Sequence, residues 1–217
     1  MPRNAAPRYW PEAENATVDF YAHVGGDGVY DWTVAEGKAS AKFVDYTVNG
    51  TVASQEDLLY AVTTGATKTK TPVNLNFRHA LSQIVFKAKN SSQKIYVEIY
   101  GVRIDNVQNK GTFAFPGETT TTQVKNPGDD VTDYVEANKG QGTWSDKEGK
   151  TSYTVEFTDP IVLSSDGQNL NAEKPVTSDV TANAMALLPQ TTTAWDKAAA
   201  VASSTGSCIS VKCRYIR

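Results

Sequence analysis

Histidine and cysteine are each present only twice in the 217 residues, methionine is equally scarce, and no dense run of one charge occurs. Each scarcity closes a class of function. Nucleophilic hydrolysis through a Ser-His-Asp arrangement needs a histidine base in reach of a nucleophile and a carboxylate. The two candidates, His23 and His79, have unpromising neighbours. Ser82 follows His79 by three positions, but no Gly-x-Ser-x-Gly elbow surrounds it. A structural zinc site needs clustered Cys and His, and no Cys-x-x-Cys pair exists. The nearest thing to a basic stripe is Lys68-Thr69-Lys70, too short to follow a phosphate backbone, so no nucleic-acid partner is expected. No apolar stretch approaches the roughly 18 residues of a membrane-spanning helix, and the first residues lack the apolar segment of a secretory signal. Composition leaves open a cytosolic chain or a trimmed form of a longer precursor.

What is abundant is alternation. Apolar residues are 40% and charged residues 21% of the chain, with a net charge of −3, as befits a soluble protein with polar loops. In the run from 17 to 24, Val18, Phe20, Ala22 and Val24 share one face, while Thr17, Asp19, Tyr21 and His23 share the other. That is the period of a half-buried strand, with His23 on the solvated side. Val73, Leu75 and Phe77 alternate with Asn74, Asn76 and Arg78; Ile84, Phe86 and Ala88 alternate with Val85, Lys87 and Lys89. The frame slips by one between them, which requires a turn or bulge around 79–83, with His79 a partly buried structural residue. Ile95, Val97 and Ile99 give way after Gly101 to Val102 and Ile104, a second slip, at a glycine, expected to be a β-bulge. Further strands are expected at 43–48, 111–115, 153–157, 183–188 and 209–216. In the last, Ile209, Val211, Cys213 and Tyr215 are expected to face the core against Ser210, Lys212 and Arg214. Cys208 then points outward, and the odd spacing keeps both thiols free.

Helix signals are few. Ser54-Gln55-Glu56-Asp57 ahead of Leu58–Val62 reads as a capped short helix, and the alanine-rich stretch 194–203 as another turn or two. The stretches 116–150, 164–182 and 191–207 read as loops, with a turn at Asn126-Pro127-Gly128-Asp129. Asp129, Asp130 and Asp133 lack the EF-hand pattern and read as solvated charge. Gly25-Gly26-Asp27-Gly28 follows a strand with no helix after it, so a hairpin turn is expected rather than a phosphate loop. Trp10, Trp32, Trp144 and Trp195 read as packed loop anchors in preference to a sugar-stacking platform. The sequons at Asn15, Asn49 and Asn90 mark turns. No residue set qualifies as catalytic, cofactor-binding or metal-ligating, and the whole reads as a non-enzymatic, all-β protein.

Several strings occur in order: Tyr9-Trp10-Pro11, Asp19-Phe20-Tyr21-Ala22, the run from Gln55 to Ala61, and the run from Val73 to Lys87 with its Leu-x-Phe-x-His-Ala-Leu-Ser core. Gly111-Thr112-Phe113, Trp144, Leu187-Leu188-Pro189-Gln190 and Ile209 to Tyr215 complete the set. The ordered set resembles the fimbrillin-like family of type V pilus subunits of Bacteroidetes. The resemblance implies transthyretin-like Greek-key β-sandwiches, predominantly antiparallel with few short helices. Residues 1–70 would be the remainder of an N-terminal sandwich and linker, and 71–217 a second sandwich incomplete at its C-terminus. It implies a structural subunit or adhesin, exported as an outer-membrane lipoprotein and trimmed at the surface by an Arg-specific protease. Its partners would be other pilus subunits, joined by strand exchange. The absence of a leader and of closing strands implies a fragment, a processed form or a truncated chain. Arginines near the ends (Arg3, Arg8, Arg214 and Arg217) fit trimming and ordinary surface charge equally. The competing reading is a non-polymerising surface lipoprotein that binds a glycan or a host protein.

Overall fold

A computed structural model describes residues 9–120, 140–170, 184–196, 198 and 206–216. The described chain is all-β, in open sheets whose strand pairs run antiparallel. The strands are β1 (Thr17–Val24), β2 (Tyr30–Ala35), β3 (Lys38–Thr47), β4 (Leu59–Thr67), β5 (Arg78–His79), β6 (Ser82–Ile84), β7 (Lys87–Ala88), β8 (Tyr96–Val107), β9 (Lys110–Ala114), β10 (Thr143–Glu148), β11 (Thr151–Val162), β12 (Gln168–Asn169), β13 (Met185–Leu187) and β14 (Cys208–Ile216), with one 3-10 turn at Val52–Ser54. They form sheets in the orders β1-β4-β5, β10-β9-β3-β2 and β11-β8-β14, and the two-stranded pairs β12-β7 and β13-β6. Two compact units result: Met1–Phe43 with Leu58–Ala80 and Phe113–Thr143, and Val44–Asp57 with Leu81–Thr112 and Trp144–Arg217. Each draws on chain from both sides of residue 70.

The first unit is organised by aromatic residues brought together from two sheets. Phe43 of β3 lies 5.1 Å from Phe115 between ring centres, and Tyr60 of β4 lies 4.8 Å from Phe113 of β9. Such offset and edge-on pairs add to the area they bury. His23 belongs to this cluster and is not solvated as expected. Its ring stacks on Tyr30 at 4.1 Å, meets Phe43 edge-on, and donates from Nδ1 to the Gly25 carbonyl at 2.9 Å. A bulge between Val18 and Phe20 breaks the simple alternation of β1, so both of its faces are partly covered and Val24 is exposed.

The short helix expected after Ser54 is instead the 3-10 turn followed by β4. Leu58, Tyr60, Ala61 and Val62 are all buried, because β4 is the central strand of its sheet and is covered on both faces. A continuous apolar run of that kind has no period to tell strand from helix. The Val73–Phe77 run also departs from expectation. Only Arg78 and His79 join the ladder, Arg78 is buried, and Phe77 and His79 are exposed. Residues Asn74 and Asn76 are held by bonds to Thr63 and Thr120 instead, so the alternation there never becomes a pleat. The frame slip at 79–83 is present as the passage from β5 to β6. Thr143–Glu148 is strand β10, not loop. Asn126–Asp129, the three aspartates Asp129, Asp130 and Asp133, and most of 194–203 lie outside the described residues, and of that last stretch Ala194 forms an isolated bridge with Ser207.

The glycine turn at 25–28 joins β1 to β2, which belong to different sheets, so it is not the expected hairpin. Gly26 has φ +68°, and a Cβ there would stand 2.8 Å from the Phe43 ring. The backbone conformation and the approach of Phe43 both demand glycine. Gly26→Ala is expected to destabilise the protein by roughly 2–4 kcal/mol, from left-handed strain plus overpacking. Urea unfolding followed by tryptophan fluorescence measures this, and a loss under about 0.5 kcal/mol would contradict the packing described.

Candidate functional site: an open sheet edge

Within the second unit, β8 is the central strand of β11-β8-β14, and its register explains what the edge strand presents. Ile209 faces Ile104, Val211 faces Val102, Cys213 faces Ile99 and Tyr215 faces Val97. On the other side of β8, Tyr153, Val155 and Ile161 pair with Ile104, Val102 and Ile99. All these residues lie on one face of the sheet. Over β8 and β11 that face is core: Val102, Tyr153 and Ile161 are at most 1% exposed. Over β14 it is open. Ile209 is 58% exposed, Tyr215 64%, and Val211 and Cys213 are also exposed.

The Ile209–Tyr215 row lies at the surface, not in the core that its alternation leads one to expect. The alternation is real, but no second layer among the described residues covers the last strand. The cysteines follow suit: Cys213 is exposed and Cys208 half-buried, the reverse of the expectation. The bulge expected near Gly101 is present. Against β14 the extra residue is Tyr100, since Lys212 pairs with Gly101 and Cys213 with Ile99. Against β11 the register also slips there, but the extra residues, 157–160, belong to β11. Gly101 itself has no unusual φ; a Cβ there would stand 2.9 Å from the Val155 carbonyl, so the glycine permits close strand approach.

The opposite face of β8 carries two nearly buried carboxylates, and β14 is fastened to both. Asp105 accepts from Ser152 of β11 at 2.6 Å and from Ser210 of β14 at 3.2 Å, and it pairs with Arg103. The Cys208 thiol lies 3.9 Å from the same carboxylate. Burial pushes the Asp105 carboxyl up, but the bonds from Ser152, Arg103 and Ser210 outweigh it, and the group sits below the usual aspartate range. Glu98 accepts from Tyr100 at 2.7 Å and from Arg214 of β14 at 2.7 Å. The Tyr100 bond, joined by Arg214, holds its carboxyl below the usual range against the opposing effect of burial. Farther along, Lys212 lies 3.8 Å from Glu156, both exposed. In sequence, Glu98, Arg103 and Asp105 are indistinguishable from the solvated face of a strand, and no signal there marks them as fasteners. The arrangement holds in place a strand whose apolar row is exposed and which, among the described residues, pairs with β8 alone.

The remaining sequence candidates do not converge on it. Ser82 is half-buried in β6. Trp10 packs edge-on against Phe20, Trp144 lies against Tyr46, and Trp195 is half-buried; Trp32 meets Tyr21 edge-on but is 46% exposed. Lys68, Thr69 and Lys70 are exposed. The sequon asparagines sit at turns: Asn15 has φ 63°, Asn49 accepts from the Thr51 amide, and Asn90 bridges Ser92 and Ile95.

Two outcomes test this geometry. Because Asp105 has a depressed pKa in the folded state, its contribution is full above the unfolded value near pH 4 and is lost as pH falls through the folded value. Asp105→Asn is therefore expected to lower the urea midpoint at pH 7, by an amount corresponding to about 1–3 kcal/mol, and to flatten the acid loss of stability. An unchanged pH profile would count against the fastening. Thiol labelling of the native protein is expected to modify Cys213 first and Cys208 more slowly; equal rates would contradict the assigned faces.

A family model described as fimbrillin-like matches residues 1–208. No curated protein and no solved structure matches the chain. No helix among the described residues is long and apolar enough to cross a membrane, which says nothing of strands. The family match spans nearly the whole chain, its all-β architecture agrees with the sheets described, and the chain therefore belongs to the fimbrillin-like family.

Proposed function

We propose that this chain is a structural subunit or adhesin of type V pili on the bacterial outer surface, joined to its neighbours by β-strand addition at the open edge of β14. Family membership supports a pilus role, and fimbrillin-like proteins are structural rather than enzymatic. In this reading the two units are transthyretin-like Greek-key sandwiches, and the protein reaches the surface as a lipoprotein.

The observation that carries the proposal is the exposed row of Ile209, Val211 and Tyr215 on a strand that ends its sheet. An edge strand with apolar side chains in solvent is a hazard that soluble proteins ordinarily blunt. A strand from a neighbour satisfies the backbone and covers the row together. Each new backbone bond contributes about 0.5–1.5 kcal/mol net. Each apolar side chain fully covered adds roughly 1.5–3 kcal/mol. Several such terms give a joint that opens very slowly.

Mixing purified subunits is expected to yield SDS-resistant ladders on gels and filaments by electron microscopy. Val211→Asp, at an exposed position, is expected to leave monomer stability within about 0.5 kcal/mol and to reduce ladder formation at least about tenfold. Monomer alone under assembly conditions, or ladders unaffected by Val211→Asp, would refute assembly at β14. A glycan-array signal without filaments would favour a non-polymerising surface binder.

A further inference from the structure

The connection from β3 to β4 carries the one Asn-Gly pair in the chain, Asn49-Gly50, and both residues are exposed. Buried Val48 and Val52 pin this turn on either side, and the Val48 amide donates to the Asn109 carbonyl at 2.8 Å. The Thr51 amide donates to Asn49 Oδ1 at 2.8 Å. That bond folds the carboxamide back over its own main chain, toward the Gly50 nitrogen. The 3-10 turn at Val52–Ser54 fixes the donor, with the Ser54 amide bonded to the Thr51 carbonyl at 2.9 Å.

We infer that Asn49 is a site of self-modification, at which the Gly50 main-chain nitrogen attacks the Asn49 side chain and water completes the conversion to aspartate and isoaspartate. The Gly50 nitrogen gives its proton to hydroxide and forms a bond to Asn49 Cγ. The bond from Cγ to Nδ2 then breaks, and the side-chain nitrogen departs as ammonia with a proton taken from water. Water adds to either carbonyl of the resulting cyclic imide and opens it to aspartate or isoaspartate. Four features of the turn favour this chemistry. Negative charge develops on Oδ1 during the attack, where the Thr51 amide already points. Asn49 Nδ2 and the Gly50 amide make no hydrogen bond among the described residues, so leaving group and nucleophile are both free. Gly50 has open space where a side chain would stand, so nothing crowds the attack. Gly50 and Thr51 line an open cleft that admits the water needed for the second step.

The other two sequon asparagines lack one feature or another. The amide after Asn15, that of Ala16, is taken by the Ala13 carbonyl at 3.2 Å. Asn90 has a similar turn, with the Ser92 amide on Oδ1 at 3.0 Å, but its Nδ2 is held by the Ile95 carbonyl at 2.6 Å. The effect of reaction at Asn49 reaches β13. The Asn49 carbonyl accepts from Gln55 Nε2 at 3.1 Å, and Gln55 also bonds the Ala186 carbonyl at 3.2 Å and its amide at 2.7 Å. Isoaspartate lengthens the main chain at residue 49, displaces that carbonyl and loosens the Gln55 clamp. None of this rests on the assembly reading.

The test incubates the full chain at mildly alkaline pH and follows intact mass, tryptic peptides and isoaspartate methyltransferase labelling. A gain of about one dalton is expected in the segment 43–68, in which Asn49 is the one asparagine, with isoaspartate present. Reaction there is expected to run at least about tenfold faster than at Asn15 or Asn90. Gly50→Ala meets no steric conflict and needs no left-handed backbone, so the variant folds, and it is expected to react at least about tenfold more slowly. The native chain is expected to react faster than a free peptide of residues 43–68, because the turn is already formed. No gain at Asn49, an unchanged rate in Gly50→Ala, or a native rate equal to or below that of the peptide would overturn the inference. In the isotope-labelled chain a second Ala186 amide resonance is expected to grow in step with isoaspartate. Its absence once isoaspartate has formed would overturn the transmission to β13.

Discussion

Everything in the second unit depends on β8 being able to satisfy three demands at once. Its backbone must pair on both sides, its apolar face must meet the core, and its polar face must keep two carboxylates out of water without leaving them unpartnered. The bulge at Tyr100 and the close approach at Gly101 reconcile the first two demands, since the pairing slips there on both flanks. The third is met by reaching sideways, from Asp105 to Ser152 and Ser210 and from Glu98 to Arg214. Removing β14 would leave two nearly buried carboxylates short of donors, the costly half of the hydrogen-bond balance.

The consequence is an edge strand attached by its polar side. Burial usually holds a strand by its apolar row, but in β14 that row points to solvent and the polar residues do the fastening. Lys212 and Arg214 lie on the fastening face, so they do little to shield the apolar row. A surface of this kind is stable in the single chain yet still has free energy to gain from an added strand. The first unit shows the ordinary solution: its aromatic side chains meet across two sheets, and even a histidine is drawn into the cluster.

Much of the fold was legible because strand periodicity is a local property. The runs at β1, β8, β9, β11 and β14 read correctly as strands, and both frame slips fell where the structure has a sheet change or a bulge. The failures have separate physical causes. Leu58–Val62 read as helix because a strand covered on both faces loses its alternation. Phe77 and Arg78 exchanged places because alternation does not guarantee that a ladder forms. His23 and the two cysteines were misplaced because a face has no meaning until something lies against it. The polar fasteners were invisible, since Glu98 and Asp105 look like any outward carboxylates on a strand.

Residue order alone therefore determined the all-β character, the free thiols and the family, because each is carried by local spacing or by an ordered set of strings. Which strand ends the sheet, which carboxylates are buried and which apolar row is left uncovered were decided only by tertiary structure. Pairing joins residues a hundred positions apart, such as Asp105 and Ser210. Whether a side chain is core or surface depends on what packs over it, and no window of sequence contains that partner.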